Sequence, residues 1–186
     1  EIGDPKPFRK WLRYLARPLM QLNSLANSRS NVAHHYDVSN DFYRLWLDDD
    51  MQYSCAYWSE ADDTLDRAQL AKKAHIAAKL ALQPGQKVLD IGCGWGGMAL
   101  YLNKVAGVEV LGITLSQEQL KLARERAEAA GVADKVRFEL LDYRVLAKRA
   151  PGYFDRIVSV GMFEHVGVPQ FDTFFRACAN LLKDDG

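Results

Sequence analysis

In Val88-Leu89-Asp90-Ile91-Gly92-Cys93-Gly94-Trp95-Gly96-Gly97, an apolar run of β-type residues carries one acid and opens into a turn with glycine at 92, 94, 96 and 97. Lys87 to Ile91 reads as a strand, and Trp95 to Val105 as the helix that follows. A strand entering a glycine-rich turn and then a helix is how α/β domains hold nucleotide-like ligands at the carboxyl end of the first strand. Glycine lets backbone approach a ligand with no Cβ in the way. Gly92, Gly94 and Gly97 leave the acid before the turn rather than far beyond it, which departs from the dinucleotide pattern. A tight turn with no ligand is the plainer alternative, and so many glycines argue against it.

Downstream the pattern repeats. Glu109 to Leu115 is a second strand, and Ser116 caps the next helix with Gln119 in the capping-box position. Leu120, Ala123, Ala127 and Ala130 form the buried stripe of that helix, and Gly131 ends it. Val136 to Leu141 is a third strand, with Asp142-Tyr143 at its carboxyl end, and Phe154 to Val160 a fourth. Phe171, Phe174, Phe175, Cys178, Leu181 and Leu182 share one helical face. Strands alternating with helices predict an α/β fold, a Rossmann-like, doubly wound and mostly parallel sheet.

Upstream, Thr64 to Leu82 is an Ala- and Lys-rich helix ended by Pro84-Gly85, with His75 an ordinary surface or core histidine. Val32 to Trp58 is dense in aromatics that need a partner, either the core or a greasy ligand. Within it Ser39 caps a short helix from Asn40 to Leu47, and Met51 to Trp58 is extended. Asp48-Asp49-Asp50 lacks the alternating spacing of a metal loop and reads as a solvated turn. Phe8 to Leu22 sets Phe8, Trp11, Leu12, Leu15, Leu19 and Leu22 against Lys6, Arg9, Lys10, Arg13 and Arg17, with a kink at Pro18. Such a helix suits an anionic membrane surface, although periodicity alone favours one packed on its own domain. Asn23 to Asn31 is a linker, so residues 1–31 form a basic segment and 32–186 the domain.

The chain has 186 residues, 48% of them hydrophobic, and a formal net charge of zero, which suits a globular domain and argues against a general nucleic-acid binder. Residues 1–31 nevertheless carry six basic side chains against two acidic ones, and the remainder holds the matching acidic surplus. Cys55, Cys93 and Cys178 show no Cys-x-x-Cys spacing, which points to a reducing, cytoplasmic setting. No apolar run is long enough to span a membrane.

The Asp-x-Gly-x-Gly at Asp90 to Gly94 resembles motif I of the S-adenosylmethionine-dependent methyltransferases. In these enzymes an acid closing the second strand usually meets the ribose, but here that place reads Thr114-Leu115-Ser116, so Thr114, Ser116 and Gln119 would have to serve. Asp142 and Tyr143 suit adenine, by hydrogen bond and by stacking. His35-Tyr36-Asp37, Tyr53-Ser54-Cys55-Ala56-Tyr57, Gly112 to Ser116 and Gly161-Met162-Phe163-Glu164-His165, in this order around the glycine turn, resemble the cyclopropane fatty acid synthases and their mycolic acid relatives.

That resemblance implies cofactor contacts at Tyr53, Ser54, Asp90, Gly92, Cys93, Gly94, Trp95, Gly96, Thr114, Leu115, Ser116, Gln119, Asp142 and Tyr143. It implies a bicarbonate ion near Cys55 and Glu164, no metal, and the unsaturated acyl chains of membrane phospholipids as substrate. On residue type alone, Glu164 could equally cap a helix and Cys55 could be a buried apolar residue. A homodimer, and peripheral association with the inner membrane face, are further expectations. The same carbocation, reduced or hydrated, would give methyl-branched or oxygenated lipids, and a non-catalytic binding remnant is a rival of another class. The family's sheet has seven strands, of which this chain supplies four, so an incomplete carboxyl half is expected.

Overall fold

The computed structural model describes residues 40–186. The expectations for Phe8 to Leu22, the linker, His35 to Asp37 and the Ser39 cap lie outside them. Four strands form one parallel sheet: β1 (Lys87–Ile91), β2 (Glu109–Thr114), β3 (Val136–Leu140) and β4 (Arg156–Val158). Their spatial order is β3-β2-β1-β4. The chain therefore moves outward from β1 through β2 to β3, then returns to the other side of β1. That reversal opens a crevice at the carboxyl ends of the strands, where α/β sheets bind ligands.

Six α-helices accompany the sheet in the described residues: α1 (Asn40–Arg44), α2 (Leu65–Leu80), α3 (Gly97–Ala106), α4 (Gln117–Ala129), α5 (Tyr143–Arg149) and α6 (Phe171–Leu181). Strand alternation sorts the core. Val88, Val110 and Phe138 face α3 and α4 with Ala99, Leu102, Ala123 and Ala127, and Ile76 and Leu80 of α2 join them. Leu89, Ile91 and Ile113 face α5 and α6 with Leu146, Phe174 and Leu181. The result is a doubly wound α/β sandwich, as the alternating pattern predicts.

The cap of α4 forms only in part as a capping box. Ser116 Oγ accepts from Gln119 N at 3.3 Å. Gln119 does not reach back, because Ser116 N donates to Thr114 Oγ1 instead, at 3.1 Å. Gly131 closes the helix with Val132 N bonded to Ala127 O and Gly131 N to Glu128 O, the paired bonds of a Schellman motif. Ala130 is exposed rather than part of the buried stripe, since the last turn rolls away from the sheet.

Other boundaries move for identifiable reasons. The fourth strand is shorter than Phe154 to Val160. Phe154 makes a lone bridge to Leu182, while Ser159 Oγ donates to Ile91 O at 2.8 Å where a ladder bond would run. On α6, Phe175 is exposed while Phe174, Ala177 and Leu181 are buried. The first helix stops at Arg44 and tightens, with Leu45 N and Trp46 N reaching back to Phe42 O and Tyr43 O. The acidic run is not a solvated turn. Asp48 is buried, and Asp50 takes Lys73 of α2 and Arg126 of α4 on its two oxygens.

Candidate active site

A cavity of about 930 Å³ sits at the carboxyl ends of the strands. Asp90 and Ile91 of β1, the turn from Gly92 to Trp95, Thr114 and Leu115 at the end of β2, Asp142 and Tyr143 after β3, and Gly161 and Glu164 after β4 all line it. Tyr53 and Ser54 add a wall from the segment before α2, and Gln119 reaches in from α4. The structure thus gathers thirteen of the sixteen residues singled out in the sequence, Cys93 among them.

Three stand elsewhere. Gly96 is outside the lining and packs on β3: a Cβ there would lie 2.7 Å from the Phe138 ring. Ser116 is buried and spent on its helix cap. Cys55 is exposed and outside the lining, neither at the cavity nor buried as an apolar residue. Of the two residues expected at bicarbonate, only Glu164 therefore meets the cavity.

Asp90 is 2% exposed, and its Oδ2 has no hydrogen-bond partner among the described residues. Burial alone pushes its carboxyl up to about 7. An orphaned buried acceptor on a cavity wall is a place for a donor from a ligand. The turn beside it leaves room: Gly94 has φ +55°, and a Cβ built on it meets nothing within 4 Å. Gly97 is needed for another reason, because a Cβ there would collide with the side chains of Asp50 and Gln52.

At the end of β2 the missing acid is replaced by a small network. Thr114 Oγ1 donates to Gln119 Oε1 at 2.8 Å. That contact ties the amide of Gln119, a residue of the cavity lining, to the end of β2, where an acid would otherwise stand. Asp142 N-caps α5, with Oδ1 2.8 Å from Arg144 N, and Arg144 Nε and Nη2 hold its two oxygens at 2.9 and 2.7 Å. Arg144, which sequence reasoning passed over, lines the cavity as well. The Tyr143 ring, 9% exposed, packs edge-on against Phe174 with centroids 5.2 Å apart, so it serves the core and the wall together. Trp95 is buried, donates from Nε1 to Asn40 Oδ1 at 2.7 Å and packs at a tilt against the Tyr43 ring, centroids 4.9 Å apart.

These features fit S-adenosylmethionine: an acceptor for its cationic end, open space along Gly94, and donors where its ribose would lie. The family described as mycolic acid cyclopropane synthetase matches residues 23–186. The chain belongs to this family. It is 47% identical over 182 residues to the cyclopropane-fatty-acyl-phospholipid synthase of Escherichia coli, covering 98% of this chain and 45% of that protein. It is 57% identical over 155 residues to a probable fatty acid methyltransferase of Pseudomonas putida, covering 83% of this chain and 39% of the relative. Among solved structures, mycolic acid cyclopropane synthase CmaA1 complexed with SAH and CTAB superposes with a TM-score of 0.77 at 39% identity, over 84% of this chain and 53% of that one. This chain therefore spans about half or less of the length of these relatives. No helix among the described residues is long and apolar enough to cross a membrane.

Proposed function

We propose that this chain serves S-adenosylmethionine-dependent cyclopropanation of cis double bonds in the unsaturated acyl chains of membrane phospholipids. The observation that carries the reading is the orphaned Asp90 oxygen beside the open face of Gly94, at the switch point of the sheet. The SAH-bound relative with the same fold supports it.

When bound, S-adenosylmethionine supplies an electrophilic methyl group. Asp90 would accept from the cofactor's ammonium, Gln119 would serve the ribose, and the Tyr143 side of the cavity would take the adenine. The alkene is a weak nucleophile that reacts only when held close, so these residues would have to fix the methyl beside it. Methyl transfer leaves a carbocation on the lipid, and ring closure needs a proton removed from the new methyl. Water would trap that cation, so the apolar wall made by Met51, Met98, Ile113 and Met162 has the task of excluding it. Glu164 is the exposed carboxylate on the β4 side of the cavity, placed to hold or act as the base. The resemblance also implies bicarbonate there. With Cys55 away from the cavity the expected pair of holders is not assembled.

A second reading has one observation in its favour, the fatty acid methyltransferase description of the 57%-identical relative: the same cation, given a hydride by a separate donor such as a reduced nicotinamide or flavin, gives a methyl branch. One experiment addresses both. Calorimetry with SAH should show binding to the chain and a loss of at least about tenfold in Gly94→Val, because its side chain enters the ligand's space. Unchanged affinity would sink the cofactor site. Mass spectrometry of unsaturated phospholipid incubated with S-adenosylmethionine then separates the products, since ring closure adds CH2 and branching adds two hydrogens more.

A further inference from the structure

We propose that Lys72, on α2 and outside the cavity lining, is a positioning residue that makes Ser54 a hydrogen-bond donor to an oxyanion bound in the cavity. The inference rests on reading the cavity as the S-adenosylmethionine site, and the oxyanion is the carboxylate of the cofactor's amino-acid end. Helix α2 turns Gln69, Lys72 and Lys73, all 7% exposed or less, toward the segment from Asp50 to Ser54. Gln69 Nε2 holds that segment's backbone, donating to Gln52 O at 3.1 Å and Ser54 O at 3.0 Å. Lys73 pairs with Asp50. Lys72 does something different: its Nζ meets a side chain of the cavity wall, Ser54 Oγ, at 2.7 Å.

An ammonium can only donate, so Ser54 Oγ accepts in that contact and its own proton is left for another partner. A hydroxyl that already accepts from a cation is polarised, and the group that matches it best is an anion. The fold also bears the cost of burying an ammonium where an apolar side chain would pack with no such penalty. Desolvation brings the Lys72 ammonium down to about 8. Around it Asp48 favours the charge, Lys73 opposes it, and Asp50 and Cys55 favour it more weakly.

The test compares two ligands on Lys72→Met and Ser54→Ala: SAH, and 5′-methylthioadenosine, which keeps the nucleoside and sulfur but has no carboxylate. Lys72→Met should weaken SAH by roughly tenfold or more and methylthioadenosine by less than about twofold. Ser54→Ala should do the same, and the double variant should lose little further, because the two residues act as one unit. Parent affinity for SAH should carry a step that falls as pH rises through about 8 and that is missing in Lys72→Met. Lys73→Met, a control for slackening of the same segment, should lower the melting temperature without changing the ratio of the two affinities. Equal losses of both ligands in Lys72→Met would overturn the inference and leave the cofactor reading standing. If the parent chain bound neither ligand, the cofactor reading itself would fall, and the inference with it.

Discussion

Asp90 shows how far residue type carries an argument. Its place before the glycine turn marks it as a ligand contact from sequence, but its lack of a partner is a property of the packed sheet. That lack has a thermodynamic sign. The folded carboxyl titrates near 7, against about 4 for an unfolded aspartate. Between those values the folded state holds a proton that the unfolded state has released, so this group makes stability fall as pH rises from about 4 to 7. Asp90→Asn should flatten that slope and leave the ligand-free chain more stable than the parent at pH 8, by on the order of a few kcal/mol. The same variant should bind SAH more weakly. Denaturant midpoints at pH 5 and pH 8 check this, and an unchanged slope would mean that Asp90 has a partner in solution.

At the scale of elements, α2 shows what composition does not decide. In this Ala- and Lys-rich helix Lys72 and Lys73 are buried while Leu70 is 51% exposed. The reason is the neighbour it packs on. The segment from Asp48 to Ser54 is irregular backbone with acids and carbonyls to satisfy, so α2 meets it with its polar side. Asp50 is the knot: Lys73 and Arg126 hold its carboxylate, and Arg126 Nη1 also donates to Asp50 O at 3.2 Å and Trp95 O at 2.8 Å. Removing the acid would strand two partly buried cations. Asp50→Ala should therefore cost about 3 kcal/mol, and should loosen the cavity wall so that ligand affinity falls as well. A thermal melt within a degree of the parent would show that Asp50 is mere surface charge.

Across the whole molecule, zero net charge conceals a segregation, with the basic surplus confined to residues 1–31. Phe42, Leu45, Trp46 and Trp58 add exposed apolar surface on the described part. Together they lead us to expect binding to anionic vesicles that weakens with salt and declines when Arg9, Arg13 and Arg17 become Gln. Sedimentation indifferent to both changes would show that the basic face is simply solvated. The order of elements, the parallel sheet, the Ser116 cap, the Gly131 stop and the glycine turn were all legible in the chain, because each depends on residues a few positions apart. Periodicity, caps and turns are local physics. What the chain alone could not disclose was which side chains meet after it folds: Lys72 with Ser54 across 18 positions, Arg126 with Asp50 across 76. For the same reason Cys55 and Glu164, both expected at one bicarbonate ion, part company here, while Arg144, Gln69 and Lys72 join the site or its support. Those meetings depend on how α2 and α4 pack against an irregular segment, and a buried lysine is tolerated only once its partners are in place.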